Sequence, residues 1–146
     1  MELYISLAAL LVSVSSVLVS VAIYRAGLLR EKKQATLDAF NVLQTQVLDR
    51  LNHYRRYDID EVAEDVHSAD YKELSGLLAR CAHFAVGVNT GIYDEKTVRR
   101  LAGRYIISLY DKMEPLIQKK RQLNQSERHY EEFEILTDKM KSYYRN

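Results

Sequence analysis

The chain of 146 residues has no tryptophan, one proline, one cysteine and five glycines. So few breakers over that length argue for helices joined by short connections. With Cys81 as the only cysteine an internal disulfide is excluded, and a lone thiol in an apolar run suits a reducing compartment. An excess of either charge is missing too. There are 21 Lys plus Arg against 20 Asp plus Glu, so no global field draws the chain to nucleic acid or to an acidic partner. At this length one soluble domain is the most to expect.

What is present is uneven. Leu3 to Tyr24, LYISLAALLVSVSSVLVSVAIY, carries no charge over 22 residues. At about 1.5 Å per residue such a helix crosses a hydrocarbon core of about 30 Å. A buried helix of a soluble domain would show a polar face, and here the only polar groups besides the terminal tyrosines are serines. A cleaved signal peptide would want a basic start and a shorter apolar core, whereas Glu2 is the one early side-chain charge. Tyr4 and Tyr24 would anchor the helix at opposite interfaces. Arg25, Arg30, Lys32 and Lys33 follow the span, so the positive-inside rule predicts a single pass through the cell (inner) membrane with the C-terminal domain in the cytoplasm. These basic groups would also meet anionic headgroups, at about 1 kcal/mol each. The predicted organisation is a transmembrane helix over 1–27, a basic juxtamembrane segment over 28–36 and a cytoplasmic helical bundle over 37–146.

Past the span the pattern stays helical. Leu37, Phe40, Leu43, Val47, Leu51 and Tyr54 recur at helical spacing, so the membrane helix is expected to run on, bent at Gly27, and to end near Arg56. The acidic stretch YDIDEVAEDVHSAD reads as a connection with one short helical piece. Leu74, Leu78, Cys81, Ala85 and Val88 then share one face of a helix. A third helix is predicted from Asp94 to about Gln122, with Val98, Leu101, Tyr105, Leu109 and Leu116 inward and a kink one turn before Pro115. Asn124 reads as the N-cap of the last helix, with Glu127 as its capping-box partner. That helix would bury Tyr130, Phe133, Leu136, Met140 and Tyr144. About four cytoplasmic helices suffice to close one core, so the fold class is all-α.

One stretch raises a chemical question. VGVNTGIYDEKTV, Val86 to Val98, has two glycines four apart before a helix, as a phosphate cradle does. Such a cradle needs a preceding strand and an unopposed helix N-terminus, and here the preceding LLARCAHFAVGV is helical and Asp94 and Glu95 would repel an anion. A helix-hairpin corner accounts for each residue: Gly91 in the left-handed conformation, Ile92 packing back, Asp94 as N-cap, and Tyr93 with Val98 as a hydrophobic staple. Gly87, inside the helix, is expected at a close approach of another helix.

AVGVNTGIYDEKTVRRLAG, PLIQKKR and HYEEFEILTDK resemble a family of small, mostly bacterial proteins catalogued only as a domain of unknown function. The similarity covers roughly Leu74 to Lys139. It implies an N-terminal membrane span followed by a helical cytoplasmic part. It also implies an Asn and a Glu in relatives where this chain has Ala79 and Ala82, a polar pair that is lost here.

Candidate sites are few. Glu64-x-x-His67 has the spacing of half a di-iron motif, but no other His follows a Glu at that distance, so no metal site is expected. Cys81 on an apolar face reads as a buried structural thiol. The basic residues Arg99, Arg100, Arg104, Lys119, Lys120 and Arg121 could form a patch, and neighbouring glutamates could equally neutralise them. Ser6, Ala9, Ser13, Ser16 and Ser20 recur at three and four residues along the span, a stripe that would let a second span approach closely. The preferred expectation is a membrane-anchored interaction or regulatory module without catalytic residues, cofactor or small-molecule substrate. Its partners would be membrane lipid and a second copy or another transmembrane protein, with nucleic acid disfavoured. Two alternatives stand: a membrane-tethered effector or enzyme using groups such as His83, Tyr105 and Arg104, and an adaptor binding anionic membrane or nucleic acid through the basic stretches.

Overall fold

The computed structural model of the protein describes residues 2–145, with the backbone alone described at residues 2–5, 7–9 and 57. Among the described residues the chain forms five helices and no strand. Helix α1 (Glu2–Leu43) passes directly into a π turn (Gln44–Leu48) and a last α-turn (Asp49–Leu51). Then come α2 (Arg56–Glu64), α3 (Ala69–Asn89), α4 (Glu95–Asn124) and α5 (Glu131–Arg145).

The N-terminal part of α1 is long and apolar enough to cross a membrane, and none of its apolar window is buried. The helix passes Gly27 unbroken, and nothing lies within 4 Å of where a Cβ would stand there. The irregularity comes later, at the π turn, around which Leu43, Val47, Leu48 and Leu51 are all buried in the core. The helix ends at Leu51, short of Arg56. There the Leu51 carbonyl accepts from the Tyr54 N–H at 3.2 Å and from the Lys112 ammonium, which reaches over from α4. A cation at a helix C-terminus complements the helix dipole.

Three relationships fix the direction of α3. Arg50 pairs with Glu73 at 3.2 Å, the Phe40 and Phe84 rings lie 6.2 Å apart, and the Asp94 N–H donates to the Thr36 hydroxyl at 2.8 Å. Helix α3 therefore runs antiparallel to α1, back toward the apolar end. The corner at Thr90–Asp94 turns the chain round, and α4 returns alongside α1. Helix α2 lies on α4 through Arg56–Glu114 at 3.1 Å and Lys119–Glu64 at 3.2 Å. Helix α5 packs across α3 and α4. Phe133 meets the Tyr110 ring edge-on at 5.4 Å, Lys139 donates to Asn89 at 3.0 Å, and the Tyr144 hydroxyl donates to the Arg99 carbonyl at 3.1 Å.

Burial dominates the energetics. Leu51, Ile59, Leu74, Leu78, Leu116, Ile117, Phe133 and Met140 are sealed in one core, each stabilising by about 1.5–3 kcal/mol relative to exposure. The surface ion pairs Arg50–Glu73 and Arg56–Glu114 leave both partners well exposed and contribute at most about 1 kcal/mol each.

Several expectations are corrected. Leu101 and Tyr105 face outward, 49% and 37% exposed, and Ala102, Ile106, Met113 and Ile117 take the inner face instead. The spacing is equally helical for both sets, and Gly103 marks the side where Tyr144 of α5 comes close. Pro115 lies within an unbroken α4. Asn124 ends α4 rather than capping α5: Gln125 follows in the left-handed conformation at φ 50°, and its N–H reaches the Gln122 carbonyl. Helix α5 starts at Glu131 after Tyr130 at φ 65°. Tyr130 is half-buried and Tyr144 is 40% exposed, while Phe133, Leu136 and Met140 are buried as expected.

Candidate functional site

The corner between α3 and α4 is held by a set of polar contacts. Asp94 stands at the N-cap of α4 and accepts from the Thr97 N–H at 2.8 Å and the Thr97 hydroxyl at 2.6 Å. The Thr97 hydrogen bond is the largest influence holding the Asp94 carboxyl below its usual range; burial opposes it, and Lys32 and Lys33 help. Gly91 sits at φ +80°, the left-handed turn expected of it. Tyr93 folds back so that its ring stacks on Phe84 at 5.5 Å and its N–H donates to the Gly87 carbonyl at 2.9 Å. That ring explains Gly87: a Cβ there would lie 2.3 Å from Tyr93 Cε2. The close approach at Gly87 is thus made by the corner's own aromatic residue, not by another helix. Ile92 does not pack back; it is 64% exposed at the tip. The Asp94 carboxylate takes the Thr97 N–H and stands at the helix terminus where a phosphate would have to sit, which disfavours the cradle reading.

A recess of about 440 Å³ opens between α1 and α3 beside the π turn. Its floor is apolar, from Ala39, Val42, Leu43, Val47, Phe84 and Tyr93, and its polar groups are Gln46, Arg80 and His83. The Arg80 guanidinium donates to the Gln46 side-chain carbonyl, closing one rim. The volume falls in the range of ligand recesses, and the composition suits an apolar side chain rather than a charged transition state.

A family described as a domain of unknown function, DUF4760, matches the chain over residues 4–140. The chain belongs to this family. The DUF4760 match takes in the apolar helix and the bundle together, well beyond the Leu74–Lys139 stretch where the resemblance is read by eye. No curated protein and no solved structure matches the chain.

Within this DUF4760 chain, Ala79 lines the recess and Ala82 is half-buried, so the polar pair implied for relatives would have one member at the recess wall. His83, Tyr105 and Arg104, candidates for a shared catalytic site, do not converge. His83 lines the α1–α3 recess, and Tyr105 lines a separate one with Phe40, Leu48 and Asp49. Arg104 lies over the Tyr144 ring at 5.3 Å. Burial, with Cys81 and Asp49 nearby, pushes the Tyr105 phenol up, away from a working acid–base range.

The basic residues are dispersed rather than gathered. Arg99 covers the Tyr143 ring at 3.8 Å, Lys119 pairs with Glu64, and Lys120 lies over the Tyr71 ring at 4.7 Å. Arg121, with only 14% of its side chain exposed, pairs with Glu134 at 2.5 Å and donates to the His129 carbonyl. Arg100 is exposed. Glu64, the acid of the half di-iron spacing, is engaged by Lys119, and no cluster of three metal-ligating side chains occurs among the described residues.

Along the apolar segment of α1, the side chains of Tyr4 and Ala9 lie outside those described. Ser6, Ser13, Ser16 and Ser20 are exposed. The Ser16 and Ser20 hydroxyls donate to the Val12 and Ser16 carbonyls of their own helix at 2.9 and 2.8 Å. Their protons are used internally, so a facing helix would find acceptor oxygens and small side chains there. Tyr24, which ends the apolar stretch, and Arg25, Arg30 and Lys33 after it are exposed, and Lys32 is half-buried beside the corner. The signal sequence reasoning missed is Thr36. It is fully buried on the bundle-facing side of α1 and its hydroxyl accepts from the corner.

Proposed function

We propose that the protein is a single-pass membrane-anchored helical module that acts by binding a partner protein, with its bundle in the cytoplasm under the cell (inner) membrane. One observation carries the reading. Leu10, Leu18 and Ile23 are 60%, 65% and 68% exposed, and their apolar neighbours from Leu11 to Leu29 are similarly bare of bundle contacts. In water each such side chain forgoes about 1.5–3 kcal/mol of burial; in hydrocarbon the whole row is satisfied. The basic flank Arg25, Arg30, Lys32 and Lys33 supports the orientation. The apolar recess between α1 and α3 is the surface suited to a partner's hydrophobic side chain, and the serine stripe is suited to a second span.

Fractionation tests the anchor. The full chain is expected to stay with membranes through alkaline extraction, and the chain lacking residues 2–24 to leave them. Intact protein recovered in the soluble fraction after gentle lysis would overturn the reading. A photo-crosslinking side chain at Val42, which lines the recess and is 53% exposed, tests the binding role. A discrete adduct there, absent when the crosslinker stands at Leu123, is the expected result, and equal yields from both positions would remove the recess from the proposal.

A further inference from the structure

Because α3 runs antiparallel to α1, the Thr90–Asp94 corner is the end of the bundle that faces back along α1 toward the apolar segment. Its height is set by two contacts. Asp94 is bonded to Thr36, and Lys32 Nζ lies 3.9 Å from the Cβ position of Gly91. Lys32 is three residues beyond Leu29, the last exposed apolar residue of the segment, and eight beyond Tyr24. At about 1.5 Å per residue the tip therefore stands about 5–12 Å from the hydrocarbon edge. The headgroup layer is itself about 5–8 Å deep on each side, so the tip meets it without any rearrangement.

The chemistry at that end fits the position. Ile92, at the tip, is 64% exposed, more than any other large apolar side chain beyond Leu29 among the described residues. Tyr143, 49% exposed, is held at the same end by the Arg99 guanidinium over its ring. Lys33, Lys96 and Arg100 are exposed there, and among the described residues no ion pair engages them. Of the local acids Asp94 caps α4 and Glu95 pairs with Lys139 at 3.7 Å, while Glu31 is exposed on α1 beside Lys32 and is outnumbered by the cations at this end. An apolar tip with an aromatic residue beside it, ringed by unpaired cations, is complementary to anionic headgroups over an acyl boundary.

We propose that the Thr90–Asp94 corner is a foot that docks on anionic lipid headgroups of the bilayer α1 enters, with Ile92 entering the headgroup layer and Lys33, Lys96 and Arg100 binding phosphates. This rests on the anchored reading above. It adds that the bundle is held against the bilayer rather than hanging free on α1, which fixes which faces a partner can reach.

The chain has no tryptophan, so single tryptophans report position. Full-length Ile92→Trp, Val17→Trp and Leu123→Trp proteins are reconstituted in vesicles carrying a headgroup spin label on phosphatidylcholine, with or without phosphatidylglycerol, and in parallel in brominated-acyl lipid. Val17→Trp quenched by brominated lipid establishes the span. On that background Ile92→Trp is expected to be quenched by the headgroup label in phosphatidylglycerol vesicles at low salt, and Leu123→Trp, at the far end of α4, is not. Replacing Lys33, Lys96 and Arg100 together by Ala should lower the docked-to-free ratio on the order of 100-fold, at about 1 kcal/mol per basic residue. Quenching at Val17 without quenching at Ile92 overturns the foot and leaves the anchor standing. No quenching at Val17 removes both. Equal quenching of Ile92→Trp in zwitterionic and anionic vesicles overturns the lipid-charge part of the proposal.

Discussion

The backbone N–H of Asp94 donates to the side-chain hydroxyl of Thr36 at 2.8 Å, and the same hydroxyl donates to the Lys32 carbonyl at 2.7 Å. One fully buried oxygen thereby ties the start of α4 to the emerging helix α1, across 58 residues of chain. It joins the corner to the helix that is long and apolar enough to cross a membrane.

Thr36→Val keeps the shape and removes the hydroxyl. The Asp94 N–H is then left without an acceptor in a half-buried place, which costs about 1–3 kcal/mol. A fall in thermal midpoint, with far-ultraviolet helicity retained at low temperature, is the expected outcome of scanning calorimetry. An unchanged midpoint would show that the link is energetically silent.

Asp94 makes stability depend on pH with a definite sign. Its folded carboxyl titrates below the ordinary 3.8, so its contribution is present above the unfolded value and is lost as pH falls through the folded one. Asp94→Ala removes the cap and should cost about 1 kcal/mol at neutral pH, a deficit that shrinks as the wild type is acidified below about pH 4. Asp94→Asn should keep most of the capping energy and lose the acid dependence. Urea midpoints measured across that acid range distinguish the three proteins.

Gly87→Ala places a methyl against the Tyr93 ring, at 2.3 Å from Cε2 before relaxation. The Tyr93–Phe84 stack must shift, and about 1–3 kcal/mol of stability should be lost. Gly76→Ala, with open space around it, should instead gain about 0.5–1 kcal/mol from helix propensity. Denaturant melts of the two variants should move in opposite directions, and a loss at both would contradict the assignment of Tyr93 as the cause.

Burial pushes the Cys81 thiol up to about 12, and the residue is 2% exposed. At pH 8 the folded protein should react with an aromatic disulfide only as fast as it opens. Labelling is expected to be slow in buffer and immediate in denaturant. Fast stoichiometric labelling of the native protein would place Cys81 outside the core.

Much of the fold was legible because it rests on local rules. Periodicity placed the inner face of α3 through Leu74, Leu78, Cys81, Ala85 and Val88, all buried. The corner followed from Gly91 needing a positive φ and Asp94 needing a helix to cap. Where two rules of equal strength competed, the reading failed. Asn124 and Glu127 satisfy a capping box on paper, yet Gln125 takes the left-handed conformation and ends α4 there. Leu101 and Tyr105 have helical spacing, but so do the buried Ala102 and Ile106, and the choice depends on which helices lie opposite; Gly103 leaves room for the Tyr144 side chain.

The candidate surfaces divide the same way. The apolar segment, its serine stripe and its basic flank are properties of consecutive residues, and composition and helical spacing are enough to find them. The dispersal of Arg99, Arg104, Lys119, Lys120 and Arg121 onto separate partners depends on which elements lie opposite each guanidinium or ammonium. So does the recess joining Gln46 to Arg80, 34 residues apart, and so does the role of Thr36. By itself the sequence determined an all-helical chain with a long apolar entry helix and a capped corner, because periodicity, breakers and caps act within a few residues. Only the tertiary structure decided that the corner points back along that helix with Ile92 bare at its tip, because antiparallel packing and long-range hydrogen bonds depend on contacts that no local pattern encodes.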